Sequence, residues 1–278
     1  MARIGMVNYI NMAPIYEVWK EQVRRPDWIM LDAPPAQLNR LLAAGSIDLG
    51  FVSAYEYAAR PWLYRLMADL SISATGPVGS VFLFSSVPPE QLDGKLVLLT
   101  GQSDTSVCLL RLILEEFIKV RPRYVRGEIF APHTPAEKPA ALLAIGDEAL
   151  RLNAAPDPRY PVQIDLGECW HQQTGLPFVF AVCAVREDFL QGNTEVAREI
   201  QQTLISCREQ GLARLSEICT KAAARIPLMT AAACLRYFQS IEYDLSPIKQ
   251  ETLARFFALL IQRGEASPAA LPLKLFPC

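Results

Sequence analysis

Short apolar runs alternate with helical patterns through the first third of the chain. Three apolar runs bounded by polar residues are predicted to be strands: residues 4–7, 29–31 and 47–52. A helix is predicted at residues 14–21, and a second opens at Pro34 or Pro35 and ends at Gly45. Strands and helices alternating at this spacing indicate a parallel sheet covered by helices, and hence an α/β fold.

The same alternation returns in the second third of the chain, and the last third is helical. Further apolar strands are predicted at residues 78–84, 96–99, 140–145 and 178–185. One helix is predicted from the polar loop at residues 100–106 to about Val120. After Asp188 the apolar spacing predicts only helices, at residues 196–207, 212–224, 231–241 and 247–262.

Two segments, residues 71–85 and 174–185, each begin as a polar, glycine-containing loop and continue as an unbroken apolar strand. The chain between them is long enough to form a lobe of its own. Two strands that leave and re-enter one lobe are expected in a two-lobed, hinged protein that holds its ligand between the lobes. Lobe one is predicted to comprise residues 1–85 and 186–278, and lobe two residues 86–185. The predicted hinge mouth carries four hydroxyls, those of Ser71, Ser73, Thr75 and Ser80.

Composition narrows the class of protein. With 278 residues, 51% of them hydrophobic, the chain is expected to bury one large core or two modest ones. A net charge of −2 without a Lys/Arg stripe argues against a nucleic-acid surface, and no apolar run approaches membrane-spanning length. The seven cysteines are scattered and odd in number, which favours a reducing compartment. The chain goes from Met1 directly into its first strand without a signal peptide, so a cytoplasmic location is predicted.

Polar loops follow four of the predicted strands, at the sheet edge where ligands bind in open α/β folds. These loops contain residues 8–11, Ser53, residues 103–106 and Gly146 with Asp147. Ser103 is suited to cap the helix that follows it, and the amides and hydroxyls of Thr105 and Ser106 are suited to hold a carboxylate. On the motif alone, simple helix capping is the preferred interpretation for Ser103 and also for Asp147. The histidines His133 and His171 have no partner at metal-ligand spacing, and no metal or cofactor is predicted.

Several of these segments form an ordered set of motifs: residues 5–14 (GMVNYINMAP), 47–53 (IDLGFVS), 76–80 (GPVGS), 103–107 (SDTSV), 143–150 (LAIGDEAL), 165–170 (DLGECW) and 174–180 (TGLPFVF). Together they resemble the chorismate dehydratase family, which works in the futalosine route to menaquinone. The resemblance runs in order from residue 4 to about residue 188. Beyond that point only the helical character agrees.

The resemblance implies a fold like that of the type II periplasmic binding proteins, used as an enzyme with the cleft as its active site. It also implies a hydro-lyase reaction, in which chorismate loses water to give 3-[(1-carboxyvinyl)oxy]benzoate. By the same resemblance, Asn11 and Ser80 fall at the catalytic positions. The residues assigned to substrate binding are Ser53, Gly79, Ser103, Asp104, Thr105, Ser106, Gly146 and Asp147.

No motif supplies an obvious general base. We therefore hypothesise that the enolpyruvyl carboxylate of chorismate takes the proton, while Asn11 and Ser80 orient it and help the hydroxyl to depart. Glu56 or Asp147 as the base is the alternative within this reaction. Other functions remain open: the sister enzyme 1,4-dihydroxy-6-naphthoate synthase, a non-catalytic small-anion-binding protein, and a ligand-sensing domain of a transcription regulator. The sequence leaves the oligomeric state open between a monomer and a homodimer.

Overall fold

The computed structural model describes residues 1–129 and 138–277, so His133 lies outside the described residues. The strands are β1 (Ala2–Val7), β2 (Trp28–Ala33), β3 (Leu49–Ser53), β4 (Tyr64–Ala74), β5 (Val81–Ser85), β6 (Leu96–Thr100), β7 (Arg123–Gly127), β8 (Ala141–Ile145), β9 (Val162–Asp165), β10 (Phe178–Arg186) and β11 (Leu275–Phe276). The helices are α1 (Ala13–Gln22), α2 (Pro35–Ala43), α3 (Ala54–Ala59), α4 (Asp104–Leu112), α5 (Gly146–Ala154), α6 (Leu166–Thr174), α7 (Glu187–Ala213), α8 (Leu215–Ala222), α9 (Ala231–Gln239) and α10 (Pro247–Gln262). Helix α4 continues as a π-helical turn over Ile113–Ile118, and α7 is interrupted at Gly192 by non-helical backbone.

The predicted strands and helices are confirmed in order and type, and most ends are shifted by only a few residues. Helix α7, Glu187–Ala213, is longer at both ends than the predicted range 196–207. Strands β3, β6 and β8 are buried along their whole length, which explains their continuous apolar sequence. Helix α10 has the predicted bounds. None of the helices in the described ranges is long and apolar enough to cross a membrane.

Two mixed sheets form the centre of two lobes. Lobe one surrounds a six-stranded sheet of order β11-β4-β10-β3-β1-β2, and lobe two surrounds a five-stranded sheet of order β7-β6-β8-β5-β9. Every antiparallel pair involves β5 or β10, and the other pairs are parallel. Strands β5 and β10 directly follow the two crossings between the sheets, so each starts at the edge where its antiparallel neighbours end. The two-lobed α/β architecture is therefore the predicted one.

The sheet memberships bear on where the lobes divide. Strand β5 lies in the five-stranded sheet and β10 in the six-stranded sheet, although the predicted boundaries at residues 85 and 186 put each in the other lobe. We propose that the chain crosses instead at residues 75–80 and again at residues 175–177.

The prediction that residues 71–74 belong to a loop is wrong, because they extend β4. The Ser71 hydroxyl donates to the Asp244 carbonyl, and the Ser73 hydroxyl donates to the Glu242 carbonyl at 3.2 Å. The Ser73 N–H also donates to that carbonyl, at 2.9 Å. Both hydroxyls therefore bind a segment at residues 241–245 that hydrogen-bonds along the edge of β4. Neither serine lines the cleft between the lobes.

A continuous core extends from one lobe into the other, with a smaller apolar cluster on the far face of the five-stranded sheet. Trp170 of α6 marks the junction: its ring centroid lies 5.2 Å from that of Phe178 and 6.1 Å from that of Phe256. The Trp170 Nε1 donates to Thr252 Oγ1 at 3.0 Å. The two lobes thus share a packed aromatic junction beside the crossings, in which Trp170 and Phe178 are both buried.

Candidate active site

A cleft lies between the carboxyl ends of the strands of the two sheets. The cleft, together with the solvent space at its opening, contains about 530 Å³ that no protein atom occupies. Its lining residues are Val7, Tyr9, Asn11, Pro35, Ser53, Ile72, Val78, Ser80, Val81, Ser103, Ser106, Ile145, Gly146, Phe180 and Ala181. Six of the residues assigned from the sequence are among them: Asn11, Ser53, Ser80, Ser103, Ser106 and Gly146.

Ser53 ends β3 and points a hydrogen-bond donor into the cleft. The Asn39 side chain, buried on α2, donates from Nδ2 to Ser53 Oγ at 2.8 Å. The Asn39 Oδ1 in turn accepts the Ser53 N–H at 3.0 Å. Because an amide nitrogen can only donate, the Ser53 oxygen acts as the acceptor and its own proton is free for a ligand.

Ser80 is held in the same way from the other side of the cleft. The Tyr237 hydroxyl of α9 donates to Ser80 Oγ at 3.0 Å, and the Gly146 N–H donates to the Ser80 carbonyl at 2.7 Å. Asp165 fixes the loop just before it, since its carboxylate accepts the N–H groups of Val78 at 3.1 Å and Gly79 at 2.7 Å. The predicted catalytic serine is therefore bound by residues from both lobes.

Asn11 follows β1 and presents an unpaired acceptor. Its carbonyl accepts the Tyr243 hydroxyl at 2.7 Å, whereas its Oδ1 is buried and has no hydrogen-bond partner among the described residues. Asn8 Oδ1 is also buried and unpaired, but Asn8 does not line the cleft. A buried oxygen without a partner costs about 1–3 kcal/mol, so Asn11 Oδ1 is suited to accept from a ligand.

The loop that opens α4 has two members facing the cleft and two facing elsewhere. Ser103 is the N-cap, as predicted: its Oγ accepts the Ser106 N–H at 3.2 Å, and both serines line the cleft. Thr105 Oγ1 accepts the Tyr55 N–H at 2.9 Å. Asp104 pairs with Arg126 at 2.9 Å. Neither Thr105 nor Asp104 is among the cleft-lining residues, so their assignment to substrate binding stays a prediction for which this geometry gives no support.

Gly146 lines the cleft, whereas Asp147 and Gly79 do not. The prediction that Asp147 caps α5 is wrong, because Ile145 holds the N-cap position and Asp147 lies in the first turn. Its Oδ1 instead accepts the Ile10 N–H of lobe one at 3.0 Å, and burial raises the pKa of its carboxyl. Asp147 is thus a contact between the lobes.

Other hydrogen bonds hold the lobes against each other around the cleft. The Tyr9 hydroxyl donates to Gln102 Oε1, and the Ala36 N–H donates to the Gln102 carbonyl at 3.1 Å. The Tyr9 ring lies so close to Gly146 that a Cβ there would be 2.7 Å from its Cδ2. These contacts describe a closed arrangement of the two lobes.

The electrostatic character of the cleft comes from oriented donors. No Lys, Arg or His is among its described lining residues. Helix α4 opens with its first turn at Ser103 and Ser106, and α5 opens at Gly146. Helix N-termini carry free N–H groups and a partial positive charge, so a cleft of this kind is suited to an anion.

Sequence reasoning missed the residues that support these groups. Asn39, Tyr237 and Tyr243 are buried in helical or apolar patterns, and nothing in the local sequence connects them to the cleft. Asp165 carried a detectable signal: its side chain accepts the N–H groups of Gly167 and Glu168 at the start of α6, as expected for a residue placed directly before a helix.

Replacing Asp165 by Asn is expected to lower kcat about tenfold. The amide would present a donor to one of the N–H groups that now point at the carboxylate, so the loop ahead of Ser80 would shift. Asp157→Asn is the matched control, since that partly exposed carboxylate pairs only with nearby Arg159 among the described residues. Steady-state kinetics of both variants with the wild-type protein would check this, and equal rates for all three would contradict it.

Comparison with known sequences identifies the family of this chain. A family model described as menaquinone biosynthesis matches residues 2–262. The chain belongs to this menaquinone biosynthesis family. Within it, the chain is 35% identical to the chorismate dehydratase of Thermus thermophilus over 236 residues, covering 80% of this chain and 82% of the relative. It is 26% identical over 243 residues to a 1,4-dihydroxy-6-naphtoate synthase of the same organism, covering 85% and 84%. The resemblance noted in the sequence is thereby confirmed.

Solved structures place this member of the menaquinone biosynthesis family among the periplasmic-binding-protein folds. Protein AF1704 from Archaeoglobus fulgidus aligns with a TM-score of 0.76 at 17% identity, over 95% of this chain and 97% of that one. The alkanesulfonate-binding protein SsuA from Xanthomonas axonopodis, bound to MOPS, aligns with a TM-score of 0.70 at 14% identity, over 100% and 98%. At these identities the likeness establishes the fold.

Proposed function

We propose that this protein is a hydro-lyase that dehydrates chorismate to 3-[(1-carboxyvinyl)oxy]benzoate in menaquinone biosynthesis. The similarity to a chorismate dehydratase supports the substrate. The observation that carries the proposal is the unpaired, buried Oδ1 of Asn11, a residue that lines the same cleft as several serines.

The hydrogen-bonding groups of chorismate match those of the cleft. At neutral pH chorismate is a dianion, and its ring hydroxyl is its only donor. The cleft offers donors from Ser53 and the α4 helix start, which suit two carboxylates, and a donor from Ser80, which suits the departing hydroxyl oxygen. Its unpaired acceptor, Asn11 Oδ1, suits the ring hydroxyl. Asn11 would therefore hold the group that leaves.

The reaction needs little beyond this orientation. The enolpyruvyl carboxylate takes the proton from the ring carbon that bears its own ether oxygen, and the C–H electron pair forms a ring double bond. The neighbouring C–O bond breaks, and the leaving oxygen gains the proton that the enolpyruvyl carboxylate took, so that water departs and the carboxylate is ionised again. The ring becomes aromatic, so the step is strongly downhill. Holding the reacting groups in one geometry can contribute about 7–11 kcal/mol at best.

The two protein carboxylates considered as bases have other partners. Glu56 is buried outside the cleft lining and accepts from Arg60 at 2.8 Å and from the Tyr64 hydroxyl at 2.8 Å. Asp147 accepts the Ile10 N–H. Burial raises the pKa of both carboxyl groups. Because Glu56 and Asp147 already accept these hydrogen bonds, we favour the substrate's own carboxylate as the base.

Chorismate analogues with two carboxylates are expected to bind at least about tenfold more tightly than analogues that lack one, because each carboxylate would be held by a separate set of donors. Titration calorimetry measures this difference. Ser86→Ala provides a control, since that exposed serine lies outside the cleft and should leave both affinities unchanged. Equal affinities of the two analogues would contradict the proposal that each carboxylate is held by its own set of donors.

Incubation with chorismate separates the proposal from its alternatives. Formation of a product lighter by one water, with the absorbance of an aromatic ring, is expected. Binding of chorismate without turnover would indicate an anion-binding protein, and neither binding nor turnover would favour the sister synthase, to which identity is lower.

We further propose a cytoplasmic location for the protein. The described cysteines, Cys108, Cys169, Cys183, Cys207, Cys219 and Cys234, are free thiols, which suits a reducing compartment. The homodimer stays a prediction.

A further inference from the structure

The C-terminal third of the chain reaches the cleft through two buried tyrosines. Tyr237, on α9, donates its hydroxyl to Ser80 Oγ at 3.0 Å. Tyr243, just after α9, donates its hydroxyl to the Asn11 carbonyl at 2.7 Å. Both side chains are buried, and neither lines the cleft. One short stretch of chain therefore contacts both residues assigned to catalysis, in a region beyond the ordered motifs of the sequence.

This stretch is fixed in place on lobe one. Glu242 pairs with Ser73 of β4 through the backbone and accepts the Thr75 N–H at 3.1 Å. Lys249, buried on α10, forms ion pairs with Glu242 at 2.6 Å and with Asp244. A buried lysine held between two carboxylates resists displacement, because breaking either pair leaves a charge poorly compensated. The segment that follows Tyr237 is thus held by contacts outside the cleft.

The contact between Tyr237 and Ser80 sets the direction of the Ser80 proton. Ser80 Oγ is the acceptor that the described part of the chain offers to the Tyr237 hydroxyl. Burial raises the pKa of Tyr237 well above its ordinary value, so the phenol keeps its proton and remains a donor. Since a serine hydroxyl has one proton, that of Ser80 is left to point into the cleft.

We propose that Tyr237 is a positioning residue that keeps the Ser80 hydroxyl oriented as a hydrogen-bond donor to the departing hydroxyl of the substrate. This inference rests on the proposed dehydration. Negative charge builds on the hydroxyl oxygen as the C–O bond breaks, and a donor already aimed at it needs no reorganisation at that moment. Tyr237 itself touches no reacting atom and acts through Ser80.

Steady-state kinetics of Tyr237→Phe with chorismate test the proposal. The variant removes one oxygen and lets the Ser80 hydroxyl turn away, so kcat is expected to fall about tenfold while KM changes less than about twofold. Tyr57→Phe is the matched control, because Tyr57 is fully buried and its hydroxyl accepts the Lys274 N–H away from the cleft. The control should keep kcat within about twofold of the wild type.

A double-mutant cycle with Ser80→Ala distinguishes positioning from a general structural effect. In the Ser80→Ala protein, Tyr237→Phe should lower kcat by less than about twofold further, because the hydroxyl it orients is absent. A full tenfold loss in both backgrounds, an unchanged kcat in the single variant, or a change in KM alone would overturn the proposal. If the wild type forms product and any of these results is found, the proposed dehydration stands and only the positioning role is overturned. If the wild type forms no product, both proposals are overturned.

Folding is checked by the melting temperatures of the two phenylalanine variants. If Tyr237→Phe does not fold, 3-fluorotyrosine at position 237 keeps the ring and hydroxyl and makes that hydroxyl a stronger donor. A change in kcat of about twofold or more is then expected, and an unchanged kcat would overturn the positioning role.

Discussion

Ser80→Ala and Asn11→Ala are each expected to lower kcat for chorismate dehydration about a hundredfold or more, or about 2.7 kcal/mol. Both side chains line the cleft, and neither completes an apolar core. Loss of Ser80 removes the donor aimed at the departing hydroxyl. Loss of Asn11 removes the unpaired oxygen that would hold that hydroxyl, while the Asn11 carbonyl keeps its bond to Tyr243. Melting temperatures should fall by no more than about 4 °C.

A matched control is available at the end of the strand that follows Ser80. Ser85, the last residue of β5, is fully buried and donates to the Val87 carbonyl at 2.7 Å, away from the cleft. Ser85→Ala should therefore lose some stability and retain its rate. Glu56→Gln is expected to lower kcat only slightly, because the substrate supplies its own base. If Glu56→Gln or Asp147→Asn abolishes turnover in a folded, chorismate-binding protein while Ser80→Ala stays active, a side-chain base must replace the self-assisted mechanism.

Gly211→Ala is expected to destabilise the protein by about 2 kcal/mol or more, although alanine favours a helix by about 1 kcal/mol over glycine. Gly211 lies in α7, against the first turn of α1. A Cβ there would lie 1.8 Å from the Pro14 carbonyl oxygen and 2.9 Å from the Pro14 Cα. Backbone atoms cannot rotate away as a side chain does, so the two helices must move apart. The steric cost exceeds the gain in helix propensity.

Thermal unfolding should show a loss of about 5 °C for Gly211→Ala. Gly101→Ala is the control, because nothing lies within 4 Å of its added Cβ and its backbone is not in the left-handed region. A shift in α1 would also disturb Asn11, which lies just before it, so kcat should fall together with stability. A rise in melting temperature would show that helix propensity outweighs the contact and that the helices are less closely packed.

Much of the architecture was determined by local sequence. The continuous apolar runs of β3, β6 and β8 and the proline at the start of α2 and α10 are local signals, and each appears as predicted. Ser103 could be predicted as an N-cap because capping depends on a residue three positions away. The ordered motifs also identified the family and pointed to Asn11 and Ser80, which the structure brings into one cleft.

Other parts were decided only by the tertiary structure. From the sequence, Ser71 and Ser73 are predicted to be loop residues. That prediction fails because the segment that stabilises their strand lies about 170 residues later in the chain. From the sequence, Asp147 is predicted to cap its own helix. In the structure it instead accepts the Ile10 N–H, a partner in the other lobe that no local pattern indicates.

The direction of each serine donor depends likewise on a distant buried partner, Asn39 for Ser53 and Tyr237 for Ser80. Local patterns report what a residue does for its own helix or strand. A hydrogen bond between distant segments leaves no periodic signal in the sequence, because only the packed fold brings its donor and acceptor together.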